Sequence, residues 1–147
     1  MENNDNILGI IKIGCFGDSS VGKTRLAWKY VKCESDFDLS TVGVEYFMTN
    51  KILSDGKKYK IKIFVTAGQY RSLCLSAIRS CDGIILMYDI TRRNTFSPIS
   101  NWYNNICELA DEDFPLILIG DNYNENLREV SKEEGKKQEN AKLNILK

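Results

Sequence analysis

The sequence has no excess of either charge: Lys plus Arg and Asp plus Glu each total 20, for a formal net charge of zero. Nothing in that balance draws the chain to nucleic acid or to an acidic membrane surface. No apolar run approaches the ~20 residues that cross a bilayer. No secretion signal opens the chain, and its five cysteines, Cys15, Cys33, Cys74, Cys81 and Cys107, show no paired spacing. The odd count and the missing signal favour reduced intracellular thiols. Cys15, inside an apolar run, reads as a small core residue. The chain ends Asn-Ile-Leu-Lys, without a cysteine for prenylation, so a soluble, cytoplasmic protein is expected. Internal repeats, low-complexity tracts and linkers are also lacking, and 147 residues suit one domain, 1–147, around a single core.

What is present is Gly17-Asp-Ser-Ser-Val-Gly-Lys-Thr24, a Gly-x4-Gly-Lys-Thr motif. It follows the apolar run Ile10–Phe16 and opens onto a helical pattern at Arg25. Gly17 and Gly22 tolerate backbone angles that side chains forbid, so such a loop curls with its N–H groups inward. The helix behind it adds unpaired N–H groups and the positive end of a dipole. In this motif Lys23 reaches the terminal phosphates and the Thr24 hydroxyl binds Mg²⁺, while Ser19 and Ser20 are small enough to leave room. A chance match in a turn of small residues is the bland alternative. The strand before and the helix after argue against it.

Along the chain, Gly9–Phe16 reads as a strand and the helix after the loop runs to about Lys32, with Leu26, Ala27, Tyr30 and Val31 on one face. Val44–Leu53 and Lys58–Val65 read as strands joined by Ser54-Asp-Gly-Lys, an Asp-Gly hairpin signal. Lys58, Lys60 and Lys62 alternate with apolar residues, which predicts one wet face near a sheet edge. Gly83–Tyr88 and Pro115–Gly120 are apolar throughout and read as buried strands. Between them Ile99, Trp102, Tyr103, Ile106, Leu109 and Ala110 make an amphipathic helix. Ser131-Lys-Glu-Glu134 is a capping box opening a highly charged helix with a solvated face. Strands alternating with helices give an α/β fold with a mostly parallel sheet, whose ligands sit beyond the carboxyl ends of the strands. Gly17–Thr24, Thr66–Gln69 and Asp121–Asn124 all follow strands and converge there.

With these pieces in order, residues 9 to 140 resemble the Ras superfamily of small GTPases, most closely its Rab branch. The resemblance rests on GDSSVGKT, on Ser40-Thr-Val-Gly-Val-Glu-Tyr46, on Thr66-Ala-Gly-Gln69, on Gly83-Ile-Ile-Leu-Met-Tyr-Asp-Ile-Thr91 and on Ile99-Ser-Asn-Trp102. It implies a Ras-like P-loop NTPase fold, with one antiparallel hairpin, helices on both faces, and the family's last strand and helix lacking within this sequence. It implies nucleotide contacts from Gly17, Ser19, Ser20, Val21, Gly22, Lys23, Thr24, Arg25, Thr41, Gly68, Asn122 and Asn124. Thr24 and Thr41 are the implied Mg²⁺ ligands, and Gln69 the residue that orients the attacking water. The implied partners are guanine nucleotides, GTP and GDP, and effector and regulator proteins that read the segments around Thr41 and Thr66–Arg71.

Some working parts depart from the family pattern. Val65 stands where the family has an aspartate that helps hold Mg²⁺ through water; by analogy with other such losses, metal affinity is expected to fall ~10–100-fold. The segment after Gln69 is shorter by two residues, which alters the loop that positions that glutamine. The guanine-reading Asn-Lys-x-Asp becomes Asp121-Asn122-Tyr123-Asn124 when aligned from Gly120. An asparagine at the aspartate's place would face guanine's exocyclic amine with an N–H, and would suit the carbonyl of xanthine better. A one-residue shift offers Asn122-Tyr-Asn-Glu125 instead, and both registers stay open. The expected activity is therefore a Rab-like nucleotide switch in vesicle traffic that hydrolyses GTP slowly if at all. The alternative is a non-hydrolysing interaction module, with relaxed choice of base as a further option.

Overall fold

Alternation along the central strands decides the layering. Cys15, Val65 and Met87 turn to one face of a sheet, and their neighbours Phe16, Phe64 and Leu86 turn to the other. Both faces are apolar, so both must be covered. The computed structural model describes residues 6–31, 44–66, 77–110, 114–122 and 124–145. Its strands are β1 (Ile7–Phe16), β2 (Val44–Ile52), β3 (Lys58–Thr66), β4 (Gly83–Asp89) and β5 (Leu116–Asp121), in the sheet order β2-β3-β1-β4-β5. β1 runs parallel to β3 and β4, β4 parallel to β5, and β2 antiparallel to β3. The mostly parallel α/β sheet with one hairpin is thus present, each strand within two residues of its expected bounds.

Helix α1 (Lys23–Val31) covers the first face, burying Ala27 against Cys15, Ile63 and Val65. Leu26 and Val31 pack there as expected, but Tyr30 is 42% exposed. Trp28 takes its place, its ring edge-on to Phe47 at 5.5 Å. Helix α3 (Ile99–Leu109) covers the second face with Ile99, Trp102, Tyr103 and Ile106, the i, i+3, i+4, i+7 stripe of the sequence. Phe16 is fully buried between Phe64, edge-on at 6.0 Å, and Trp102 at 6.2 Å.

The hairpin closes through a three-residue loop, Ser54–Gly56. Gly56 N–H donates to Leu53 O, Leu53 N–H donates to Lys57 O, and Gly56 takes φ +75°. Asp55 steadies it by accepting from Lys57 N–H and from the Tyr59 hydroxyl. The lysine face of β3 is half-buried rather than fully wet, and Lys62 lies 4.4 Å over the Tyr46 ring.

Two expectations need correction. β5 is not a buried strand: Ile117 is 57% exposed, and among the described residues β5 pairs only with β4. Its apolar pattern is real, but an edge position leaves part of it open. The last helix, α4 (Lys132–Ile145), does open on the capping box, with Glu134 N–H donating to Ser131 Oγ and Ser131 N–H to Glu134 Oε2. Glu134 is nevertheless more than a solvated charge, because Arg93, from the short α2 (Arg93–Phe96), grips it with both terminal nitrogens at 2.7 and 3.1 Å.

Candidate functional site

Where β1 ends, the backbone of β4 stands in its way. A Cβ on Gly17 would lie 2.3 Å from the Met87 carbonyl oxygen, and Gly17 adopts φ +144°. The chain therefore turns at once, and the turn is kept tight by Ser20 at φ +61° and Gly22 at φ +102°. Gly22 passes close to the end of β5, where a Cβ would meet the Asp121 carboxylate at 2.7 Å. Val21 is buried in the α1-side core, which fastens the loop from beneath, while Ser19 and Ser20 remain exposed at its crest.

Lys23, at the first position of α1, closes the curl. Its side chain is buried, and Nζ donates to the carbonyls of Gly17 at 2.8 Å and Asp18 at 2.7 Å. Thr24 beside it is also buried, and Arg25 is exposed. Burial pushes the Cys15 thiol under this loop up to about 12, only partly offset by the Lys23 charge. A buried ammonium inside a curl of backbone, at a helix N-terminus, is an arrangement suited to an anion.

The rim is built by the ends of β4 and β5. Asp89 Oδ1 accepts from the Thr91 N–H and hydroxyl and from Asn122 Nδ2 at 3.1 Å, and its Oδ2 accepts from Arg92 Nε at 3.1 Å. Burial opposes ionisation of Asp89, but the bonds from Thr91, Arg92 and Asn122 outweigh it and hold the carboxyl below its usual range. Arg92 Nη2 continues to the loop crest, donating to Ser20 O at 2.7 Å and Ser19 O at 3.4 Å. From α3, Trp102 Nε1 donates to Asp18 Oδ1 at 3.2 Å.

Gly17–Thr24, Asp121, Asn122 and Asn124 are thus brought to one end of the sheet, as the topology requires. Asp121 is the residue that lies against the loop. Asn122, at φ +151°, gives its amide to Asp89 and Thr91 and accepts from Asn124 N–H. Thr41, Gly68, Gln69 and the shortened segment that follows lie outside the described residues. Arg92 and Asp89 escaped the sequence reading, since nothing in Tyr88-Asp-Ile-Thr-Arg92 announces a bond to a loop 72 residues away. Trp102 was legible as core but not as a donor to Asp18.

A sequence model of the Ras family matches residues 12–145, nearly the whole chain. The chain belongs to the Ras family. Its relatives place it on the Rab-like branch. It is 36% identical to Ras-related protein Rab-18-B of Danio rerio, over 91% of this chain and 67% of the relative. It is 35% identical to Ras-related protein SEC4 of Candida albicans, over 92% and 66%, and 40% identical to Ras-related protein Rab-8B of Homo sapiens, over 87% and 63%. The chain thus spans about two thirds of the length of these relatives. In this Ras-family chain Val65 is fully buried and packed with Cys15 and Met87, and its side chain carries no oxygen.

Proposed function

We propose that this Rab-like chain is a nucleotide-binding switch that takes GTP or GDP with Mg²⁺ and serves intracellular vesicle traffic. The observation that carries the reading is the curl of Gly17–Gly22 around the Lys23 ammonium. Lys23 would exchange carbonyl partners for phosphate oxygens, while Ser19 and Ser20 leave the crest open and Gly22 and Val21 present amides. Arg25, one turn further on, is exposed at the same end.

Among the described residues no cluster of His, Cys, Asp or Glu could hold a metal by itself. The donors fit a hard, largely hydrated cation held chiefly through phosphates, since Mg²⁺ keeps several waters and needs few protein ligands. Thr24 is the described ligand, with Thr41 the second. When bound, Mg²⁺ would neutralise charge on the terminal phosphates. The fully buried Val65 supports weaker metal binding and slow hydrolysis, with Gln69 as the water-orienting residue. Asp121 lying against the loop supports the unshifted register, in which Asn124 faces the base.

For partners, the exposed side chains Tyr46 and Met48 on edge strand β2, which follows Thr41 in sequence, offer apolar surface. No helix among the described residues is long and apolar enough to cross a membrane. A cytoplasmic setting is part of the proposal.

Isothermal titration with GTP and GDP at millimolar Mg²⁺ tests the reading, and absence of binding to both overturns it. The second reading, a non-hydrolysing interaction module, is favoured by the same buried Val65. Single-turnover phosphate release at background rate, unchanged by Gln69→Leu, would select it. Competition by xanthosine triphosphate tests the base register; strong preference for GTP excludes Asn124 as drawn.

A further inference from the structure

Arg92 reaches the phosphate loop from the end of β4. Its Nε is anchored on Asp89 Oδ2, a carboxylate with 11% of its surface exposed, while the Arg92 side chain is 39% exposed. The same guanidinium donates through Nη2 to the carbonyls of Ser20 and Ser19. The chain has no cis peptide bond among its described residues, so in each peptide unit the N–H points opposite to the C=O. The Ser19 and Ser20 carbonyls point to Arg92, so the next amides, those of Ser20 and Val21, point away from it. Ser20 at φ +61° is the kink that lets consecutive amides converge. A cation on the carbonyl also polarises its peptide and makes the attached N–H a stronger donor.

We propose that Arg92 is a positioning residue for the bound nucleotide: from outside the loop it orients and polarises the Ser20 and Val21 amides that face a phosphate. Asp89 fixes the guanidinium, and because Asp89 also accepts from Asn122, the loop crest is tied to the end of β5. The proposal rests on the nucleotide reading above. It names a residue whose own atoms need touch no phosphate.

The test measures dissociation of N-methylanthraniloyl-GDP and the ³¹P spectrum of bound GDP. In Arg92→Gln, dissociation should be about tenfold faster, equivalent to ~1.4 kcal/mol. The β-phosphate resonance should shift, while the melting temperature without nucleotide stays near that of the parent. Arg92→Lys, which keeps the charge but loses the fork, should fall between the two in rate and resonance. It also carries the test should Arg92→Gln fold poorly. Unchanged dissociation in both variants overturns the proposal, and so does faster dissociation with an unmoved β-phosphate resonance. If the parent protein binds no guanine nucleotide, the switch reading fails first and takes this one with it.

Discussion

Replacing Gly17 by alanine isolates the constraint that shapes the site, and two other glycines calibrate it. Gly9→Ala adds a methyl with nothing within 4 Å and no left-handed φ, so stability should hold or rise by ~0.5 kcal/mol through the unfolded chain. Gly56→Ala also meets open space, but at φ +75°, so it bears backbone strain alone. That strain should cost about 1 kcal/mol. Gly17→Ala bears strain at φ +144° and a methyl 2.3 Å from a backbone carbonyl on β4 that cannot swing aside. Strain of about 1–3 kcal/mol plus an overpacking term of about 1–3 kcal/mol gives roughly 2–6 kcal/mol.

For a chain of this size that loss lowers the melting temperature by roughly 6–20 °C. Thermal unfolding followed by circular dichroism, on all three variants in one buffer, reads the order directly. Nucleotide affinity, measured below the transition, should fall in Gly17→Ala and stay unchanged in Gly9→Ala. The reasoning is refuted if Gly17→Ala melts within ~2 °C of Gly56→Ala, because close approach to Met87 would then cost nothing.

Trp102→Ala should destabilise by ~3–5 kcal/mol in urea titration, since its ring is buried among Phe16, Leu86 and Ile106. Trp102→Phe should keep much of that packing and lose about 1 kcal/mol with the Asp18 bond. Glu134, held down to about 2 by the Arg93 fork and then the Ser131 bonds, has a lower pKa folded than its ordinary 4.5. Its contribution is present above that ordinary value and lost as pH falls toward about 2, so melting curves of the parent and Glu134→Gln should converge only below pH 4.5. Burial raises the thiols of Cys15 and Cys81 to about 12, while Cys107 is exposed. Iodoacetamide at pH ~8 should label Cys107 and spare the other two, as peptide mass mapping would show.

Elements were legible where one local period decides them. The α3 stripe Ile99, Trp102, Tyr103, Ile106 is a property of residues three and four apart, and no distant neighbour had to be known. The Gly-x4-Gly-Lys-Thr loop was legible for a similar reason, since strand, turn and helix stand together within a few residues. Pro115–Gly120 shows where that reasoning stops. Its apolar composition marks a strand, but whether Ile117 is covered depends on what lies beside β5, and periodicity carries no information on that. Tyr30 and Trp28 make the same point on α1: both are apolar enough to be core, and only the position of Phe47 on β2 selects Trp28.

The site divides along this line. Lys23 and Thr24 lie within the motif that announces them, whereas the bonds that fix its shape reach across the fold. Asp18 is met by Trp102 from α3, and Ser20 by Arg92 from the end of β4. Neither donor has a local signature, because a lone arginine after a strand or a tryptophan on a helix face is common in sequences with no ligand at all. Both bond atoms of the loop itself. Lys23 and Val21 also hold the curl from within the motif, but Trp102 and Arg92 hold it from outside, and the motif does not record them. Double-mutant cycles should show this separation. Arg92→Gln and Asp89→Asn should be strongly non-additive in nucleotide dissociation, since one removes the guanidinium that the other unfastens. Arg92→Gln and Trp102→Phe, which act through different partners, should add.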